Sequence, residues 1–202
     1  MQTRYDQAEA VLLPILNTNP TVGIMLSGGL DSAVTLWCCT NMIKAHQIKC
    51  DLAVYTCARP DNGLAFAEKL RTWIEQDHAV VLSHKVRGSG GVHHSRQVDS
   101  AITAALTEQS AVITAETALP PGWSNEGYFT RNASSHPKLY QPWFDLDKSF
   151  TVGLAVELNL NYLIEHSHSC VITPSLRCGT CWWCRERAWA FDTLSAVDTG
   201  KY

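Results

Sequence analysis

Hydrophobic positions along the first 115 residues alternate between two spacings. Short apolar runs rich in β-branched residues predict strands at residues 21–26, 50–56, 78–86 and 111–115. Apolar residues three and four positions apart predict helices at residues 6–17, 31–46, 64–76 and 95–109, the first of them shortened or kinked by Pro14. Because strands that alternate with helices pair in parallel and are covered on both faces, the pattern predicts an α/β fold with a doubly wound parallel sheet.

This alternation stops at residues 117–147, a stretch that contains four prolines and six aromatic residues. A connection of this length inside a compact domain usually has a function. Its aromatic content predicts an ordered lid or a wall of a substrate pocket. Residues 148–158 return to a helical pattern, and a short segment then leads into a cluster of cysteines.

Composition narrows the class of protein. The chain has 202 residues, of which 46% are hydrophobic and 17% charged, as expected for one globular domain or one domain with a small appendage. A net charge of −3 argues against a broad nucleic-acid surface. The chain has neither a long apolar run nor a signal-peptide pattern, so we expect no membrane span and a cytoplasmic location. The eight cysteines are then expected to be metal ligands or core residues rather than disulfides.

A glycine-rich loop joins the first predicted strand to the helix that follows, with the sequence Ser27-Gly28-Gly29-Leu30-Asp31-Ser32. The first N–H groups of a helix have no partner within it, and together with the helix dipole they attract anions. Glycines allow a phosphate to approach the backbone, Ser27 and Ser32 can donate hydroxyl groups, and Asp31 could cap the helix or bind Mg²⁺. The loop lacks the lysine of a Walker A motif. An ordinary Gly-Gly turn is the alternative, which the flanking strand and helix disfavour.

Four cysteines near the end of the chain have the spacing C-x7-C-x2-C-x2-C, and they are Cys170, Cys178, Cys181 and Cys184. Four thiolates at such short spacing are typical of a tetrahedral structural Zn²⁺ site, because they leave no coordination position open. An iron–sulfur cluster is the alternative, although the C-x3-C-P element of a ferredoxin-type sequence is missing. His166 and His168 could compete as ligands. Of the other cysteines, Cys38, Cys39 and Cys50 are expected in the core, whereas Cys57 could line a pocket.

The loop Ser27–Ser32 resembles the signature of the PP-loop superfamily, whose fold is also called adenine nucleotide α-hydrolase-like. The resemblance implies cleavage of ATP between the α- and β-phosphates. An oxygen of the substrate attacks the α-phosphate to give an adenylated intermediate and pyrophosphate. A nucleophile such as ammonia or sulfide then displaces AMP.

The cysteine-containing tail, from Ser169 to Phe191, resembles the C-terminal signature of the 7-cyano-7-deazaguanine synthase family (QueC, also called ExsB). Residues 136–157 resemble the segment of that family before its zinc site. The resemblance implies that 7-carboxy-7-deazaguanine and ammonia are converted, through an acyl-adenylate and an amide, to 7-cyano-7-deazaguanine. It also implies a PP-loop domain over residues 1–147, a helical zinc-binding subdomain over residues 148–202, and a homodimer.

Matching positions extend these roles to individual residues. Ser27, Asp31, Ser32 and Lys148 are expected to be catalytic, and Arg185 and Arg187 to contact phosphate or carboxylate groups. The residues expected to bind ATP through the loop and the start of its helix are Leu26, Ser27, Gly28, Gly29, Leu30, Asp31, Ser32, Ala33, Val34, Thr35 and Leu36. The expected cofactors are structural Zn²⁺ at the four cysteines, together with ATP and Mg²⁺.

The middle of the chain departs from the family. The segment Tyr55-Thr56-Cys57-Ala58-Arg59 replaces a Tyr-Gly-Gln-x-His-like stretch, and the Pro-x-Arg-Asn substrate element has no clear counterpart. Residues 87–91 or Arg131-Asn132 could substitute for it. These departures leave three alternatives open: a homologue that stops at the amide or uses another acid, a PP-loop RNA thiolase, and a non-catalytic module that binds zinc and nucleotide. We expect neither a nucleic acid nor a membrane as a partner.

Overall fold

The computed structural model describes residues 2–59, 61–88, 94–124 and 133–200, with the backbone alone for 94–97. Within these residues the strands are β1 (Thr21–Met25), β2 (Asp51–Cys57), β3 (Ser83–Arg87), β4 (Ala111–Ile113) and β5 (Leu139–Tyr140). The helices are α1 (Arg4–Thr18), α2 (Leu30–Ala45), α3 (Gly63–His78), α4 (His94–Glu108), α5 (Lys148–Glu157), α6 (Asn161–His166) and α7 (Trp182–Thr193).

The strands form one parallel sheet in the order β3-β2-β1-β4-β5. In the centre of the sheet, Ile24 of β1 pairs with Val54 of β2 on one side and with Ile113 of β4 on the other. Alternate residues of β1 point to opposite faces, so Ile24 enters the larger core and Met25 packs against the smaller one. The predicted α/β fold with a parallel sheet is confirmed.

Helices cover both faces of this sheet. Residues of α1, α2, α3, α5, α6 and α7 share one large core, whereas Ala105 of α4 packs with Tyr55 and Val112 on the opposite face. The chain runs outward from β1 to β3, crosses over through α4, and continues on the other side of β1 at β4. This reversal of strand order opens a crevice at the carboxyl ends of β1 and β4, which is where open α/β sheets bind ligands.

Helix α1 runs through Pro14 to Thr18, so the expected shortening at Pro14 is wrong. A proline inside a helix removes one backbone hydrogen bond. A reciprocal cap between Thr3 and Asp6 stabilises the start of the helix, and Leu12 and Leu16 are buried in the core on its inner face. The inner face of the helix is therefore buried on both sides of Pro14.

The strand predicted at residues 78–86 begins later than expected, at Ser83, because α3 extends to His78 and ends on Ala79 in the left-handed conformation. Strand β5 and helix α6 were not predicted. Each is too short to produce a periodic pattern, since β5 has two residues and α6 has six. Their positions depend on neighbours: β5 pairs with β4, and Leu163 of α6 is buried in the large core.

The C-terminal helices pack on the same core as the sheet. Phe150, Leu154 and Phe191 belong to one cluster with Val22 and Leu36. The division of the chain at residue 147 stays a prediction. Among the residues that the structure describes, no helix is both long and apolar enough to cross a membrane.

Candidate functional site

The loop from Leu26 to Gly29 leaves the end of β1 and enters α2 at the crevice. Gly28 has a φ of +86°, and a Cβ atom built on it would lie 2.6 Å from the carbonyl oxygen of Gly63 at the start of α3. Both the conformation and the close approach require glycine at this position. The loop is therefore pressed against α3, and its path is fixed by backbone contacts.

Two serines brace the loop from inside. The backbone N–H of Ser27 donates to the hydroxyl oxygen of Ser32 at 3.1 Å, and the two hydroxyl oxygens are 3.0 Å apart. The Ser32 hydroxyl donates to the carbonyl oxygen of Gly29 at 3.1 Å. Ser32 is buried, whereas Ser27 is exposed. Ser27 is thus the serine that can meet a ligand, and Ser32 holds the shape of the loop.

Helix α2 presents its free backbone donors at this loop. Its first internal hydrogen bond runs from the N–H of Ala33 to the carbonyl oxygen of Gly29, at 3.2 Å. The preceding N–H groups, those of Leu30, Asp31 and Ser32, therefore have no acceptor inside the helix. Together with the helix dipole they form a site that suits a phosphate group.

Several residues predicted to contact ATP lie in the core instead of facing the crevice. Leu26, Ala33, Val34 and Leu36 are at most 1% exposed. The hydroxyl of Thr35 donates to the carbonyl oxygen of Asp31 at 2.8 Å and accepts from the indole N–H of Trp143 at 2.7 Å. The side chains of these residues anchor the loop, so direct contact with a nucleotide would fall to the backbone.

A buried ion cluster adjoins the start of α2. The ammonium group of Lys148 donates to a carboxylate oxygen of Asp31 and lies 3.2 Å from a carboxylate oxygen of Glu186. The hydroxyl of Thr151 donates to the other oxygen of Asp31 at 2.5 Å. The interpretation of Asp31 as a helix cap is wrong, since Gly29 is the N-cap and has no side-chain cap. The carboxylate of Asp31 is instead engaged by α5.

The environment of Lys148 keeps its ammonium group charged. Burial works against the charge, but the carboxylates of Asp31 and Glu186 outweigh this effect and raise the pKa of Lys148 above its ordinary value. Lys148 is only 8% exposed. The structure thus brings Lys148 to Asp31 of the phosphate loop, although 117 residues separate them along the chain.

The two predicted arginines have different surroundings. The guanidinium of Arg185 lies 5.6 Å from the centre of the Trp123 ring, a cation–π contact with the 117–147 segment. Arg187 is 1% exposed, and its three nitrogens donate to Asp198, Ser167 and the carbonyl oxygen of Ile164. The N–H donors that Arg187 would offer to a phosphate thus already bind protein atoms. The role of Arg187 in nucleotide binding stays a prediction.

The four predicted ligands Cys170, Cys178, Cys181 and Cys184 converge. Their sulfur atoms all lie within 4.8 Å of one another, and three of the four residues are buried. A tetrahedral ion with metal–sulfur bonds near 2.3 Å needs sulfurs about 3.8 Å apart, so the site fits one ion with little adjustment. A four-iron cluster would push the sulfurs farther apart, because its own iron and sulfide atoms must stand between them.

Hydrogen bonds prepare part of this cluster for thiolate formation. Burial disfavours the charge on Cys170, but donors from Thr173 and neighbouring backbone N–H groups lower the pKa of Cys170 to about 5. The Thr180 hydroxyl lowers the pKa of Cys178, whereas burial raises the pKa of Cys181 and Cys184. A bound cation would favour the thiolate at all four positions.

The two histidines lie outside this group of sulfurs. The ring of His166 stacks on Tyr162 at 4.0 Å, and the ring of His168 stacks on Phe66 at 4.4 Å. Among the described residues the metal-ligand group consists of the four cysteines alone, so competition from these histidines is not borne out. Cys38, Cys39 and Cys50 are buried as expected.

Several residues near the site carried no clear signal in the sequence. Arg59 and Asp61 follow β2 and form an ion pair with nitrogen and oxygen 2.7 Å apart, beside Gly63 and the phosphate loop. Glu186 lies between Arg185 and Arg187 in the sequence, and its carboxylate lies 3.2 Å from the ammonium group of Lys148. In the sequence, only the position of Glu186 two residues after Cys184 indicates that it could belong to the site.

The segments considered as substitutes for the missing substrate element are only partly described. Arg87 ends β3, and its guanidinium donates to Glu108 at 2.5 Å. Residues 89–91 and Arg131-Asn132 lie outside the described residues.

Comparisons with known proteins agree with these features. The family model for Queuosine biosynthesis protein QueC matches residues 124–195. NMN synthetase from Francisella tularensis has the same fold, with a TM-score of 0.62 at 12% identity over 96% of this chain and 87% of that chain. U34-tRNA thiolase NcsA from Methanococcus maripaludis, solved with its 4Fe-4S cluster, gives a TM-score of 0.55 at 15% identity, covering 95% of this chain and 70% of that one.

No curated protein sequence matches the chain. The family model confirms the resemblance to the QueC family over residues 124–195, which include Lys148 and all four clustered cysteines. At 12% and 15% identity the two solved structures share the fold with this chain. The expected α/β fold with a parallel sheet is therefore shared with both structures.

Proposed function

We propose that this chain is an ATP-dependent ligase that converts 7-carboxy-7-deazaguanine and ammonia to 7-cyano-7-deazaguanine. One observation supports this above the others. The phosphate loop and the cysteine-bearing tail resemble the signatures near the two ends of sequences in one family. In the structure they meet through Asp31, Lys148 and Glu186. The family model also matches the tail and the helix that carries Lys148.

In this proposal ATP binds with its phosphates on the backbone donors at the start of α2. Gly28 and Gly29 let the phosphates approach the backbone, Ser27 adds a hydroxyl, and Lys148 supplies positive charge at the same end of the helix. The accompanying Mg²⁺ would be held mainly by phosphate oxygens and water, with Asp31 as a carboxylate ligand once it exchanges a contact with Lys148.

The chemistry then proceeds in two ATP-consuming halves. The substrate carboxylate attacks the α-phosphate, pyrophosphate leaves, and ammonia displaces AMP from the acyl-adenylate to give the amide. The amide oxygen attacks a second ATP in the same way, and loss of AMP with the amide protons gives the nitrile. The protein contributes positioning and neutralisation of charge, which are the main terms in this kind of transfer.

The four cysteines would hold one Zn²⁺ with no open position, so the ion would have a structural role. A PP-loop RNA thiolase is the second candidate, because one of the structures with this fold is a tRNA thiolase with an iron–sulfur cluster. The close approach of the four sulfurs and the net charge of −3 favour the ligase. Metal analysis separates the two, since one zinc per colourless chain supports the ligase and a brown, iron-containing protein supports the thiolase.

The decisive experiment mixes the zinc-loaded protein with MgATP, ¹⁵N-ammonium and 7-carboxy-7-deazaguanine. We expect AMP and pyrophosphate to form, and mass spectrometry to find the label in a nitrile. Accumulation of the amide alone would identify a homologue that stops halfway. An absence of turnover that depends on the deazapurine acid would reject the proposal, and ATP binding without turnover would favour a non-catalytic module.

A further inference from the structure

The four-cysteine site is joined to the phosphate loop along two separate paths of contacts. One path passes through the residues on either side of the first cysteine. The other passes through α7, which carries the last cysteine. Each path consists of contacts between buried or half-buried groups.

The first path begins at the sulfur of Cys170, which accepts from the N–H of Thr173 at 3.4 Å and from its hydroxyl at 3.2 Å. The carbonyl oxygen of Thr173 accepts from the imidazole Nε2 of His168 at 2.9 Å. The backbone N–H of His168 then donates to the carbonyl oxygen of Gly28 at 2.8 Å. The stack of the His168 ring on Phe66 of α3 holds the segment in place, with the two planes 6° apart.

The second path uses side chains. Cys184 and Glu186 lie two residues apart near the start of α7, and Glu186 is 3% exposed. Its carboxylate lies 3.2 Å from the ammonium of Lys148, which also donates to Asp31 in the first turn of α2. An ammonium group has three N–H donors. Two carboxylates therefore fix two of its directions, and the third is fixed as a consequence.

We propose that Glu186 and His168 are positioning residues that couple the cysteine site to the phosphate loop, so that nucleotide binding and metal retention stabilise each other. The inference rests on the proposed function for the identity of the nucleotide. Glu186 acts by holding Lys148, and His168 by holding the carbonyl oxygen of Gly28. Coupling of this kind is reciprocal, so a nucleotide that orders the loop also slows loss of the metal.

The test measures Zn²⁺ release from the zinc-loaded protein to a chromophoric chelator, with and without Mg²⁺ and α,β-methylene-ATP. This analogue cannot be cleaved between the α- and β-phosphates, so the readout does not depend on turnover. We expect the analogue to slow release from the original chain about fivefold or more. In Glu186→Gln, which keeps the shape of the side chain and removes its charge, we expect less than a twofold effect.

Three variants complete the test. Glu165→Gln is the matched control, because its side chain lies on α6 and is 49% exposed, and it should behave like the original chain. Glu186→Asp restores the charge and should recover most of the coupling. His168→Ala keeps the backbone N–H but loses the contacts with Phe66 and Thr173, so it should show an intermediate effect. Zinc content and the melting temperature are measured for each, which separates coupling from misfolding.

The outcomes also separate this inference from the proposed function. Calorimetric binding of the analogue without slower metal release would overturn the inference and leave the ligase standing. Equal slowing in the original chain and in Glu186→Gln would overturn the role of Glu186. Coupled binding without turnover of the deazapurine acid would support the inference and reject the ligase. An absence of nucleotide binding would reject both.

Discussion

The phosphate loop and the cysteine loop hold their chemical groups in different ways. Ile24, Leu26, Leu30 and Val34 on either side of the phosphate loop are all buried in the large core. The buried cysteines instead form a small cluster of their own, and Ile172 in the loop between them is 64% exposed. Burial of apolar surface therefore fixes the first loop, whereas metal ligation would fix the second. The two loops should therefore respond differently to removal of the metal and to substitutions that change the backbone path.

Removal of the metal should give the largest loss of stability, and this loss should be confined mainly to the cysteine-containing tail. A structural zinc site contributes binding free energy on the order of 10 kcal/mol at pH 7. Cys181→Ser should abolish retention of Zn²⁺ and expose the backbone amides of α7 to hydrogen exchange, while the centre of the sheet keeps most of its protection. Cys38→Ala, a change at a buried core cysteine, is the control and should retain the metal. Uniform unfolding of both regions would contradict the comparison.

Loss of Lys148 should come next, because it affects both regions. Lys148→Met leaves the carboxylates of Asp31 and Glu186 close together without their shared cation. Breaking a buried ion pair in this way costs about 3–5 kcal/mol. We expect this drop in the free energy of unfolding in urea titrations. Restoration of stability in the triple variant with Asp31→Asn and Glu186→Gln would identify repulsion between the two carboxylates as the cause, and a smaller loss than in Glu165→Gln would refute it.

Gly28→Ala tests the shape of the phosphate loop alone. The added Cβ would meet the carbonyl oxygen of Gly63 in a backbone conformation that alanine rarely adopts. We expect a loss of about 1–3 kcal/mol in stability, and a fall of about 100-fold in substrate-dependent AMP formation because the loop is displaced. Gly122→Ala is the matched control, since Gly122 also has a positive φ but faces open space. Equal activity of the two variants would show that the loop tolerates displacement.

The smallest effect is expected at the edge of the sheet, in acid. Glu108 accepts hydrogen bonds from Lys85, Tyr55 and Arg87, and these lower its pKa to about 2. A lowered carboxyl pKa contributes stability above the unfolded value near 4.3, and this contribution disappears as the pH falls towards 2. Glu108→Gln should therefore weaken the dependence of stability on pH between about 4.5 and 2. Acid titration followed by circular dichroism checks this, and an unchanged slope would contradict it.

Much of the fold could be read from local patterns. Strands such as β1 and β2 are continuous apolar runs, and α2 follows a glycine loop with the right spacing, so each carries its own signal. The start of β3 was placed too early, because residues 79–82 have strand-like side chains but follow the left-handed end of α3. Strand β5 and helix α6 had no periodic signal at all, since partners distant in sequence stabilise them.

The candidate site likewise combines features that local sequence predicts with contacts that it does not. The cysteines could be grouped from the sequence because ligands of a structural metal site often lie a few residues apart. The phosphate loop could be identified because the start of a helix is a local feature. Lys148 was found through family resemblance, but its pairing with Asp31 and Glu186 was not, since the three residues come from three separate helices. The same holds for the contact of His168 with Gly28.

The sequence by itself determined that the chain is an α/β protein with a glycine-rich phosphate loop and four clustered cysteines. These features depend on the periodicity and spacing of neighbouring residues. Only the tertiary structure decided that Lys148 meets Asp31, that Arg187 is engaged by Asp198, and that the backbone of His168 contacts the phosphate loop. Such contacts join groups more than a hundred residues apart in the case of Asp31 and Lys148, so they exist only once the shared core has brought the helices together.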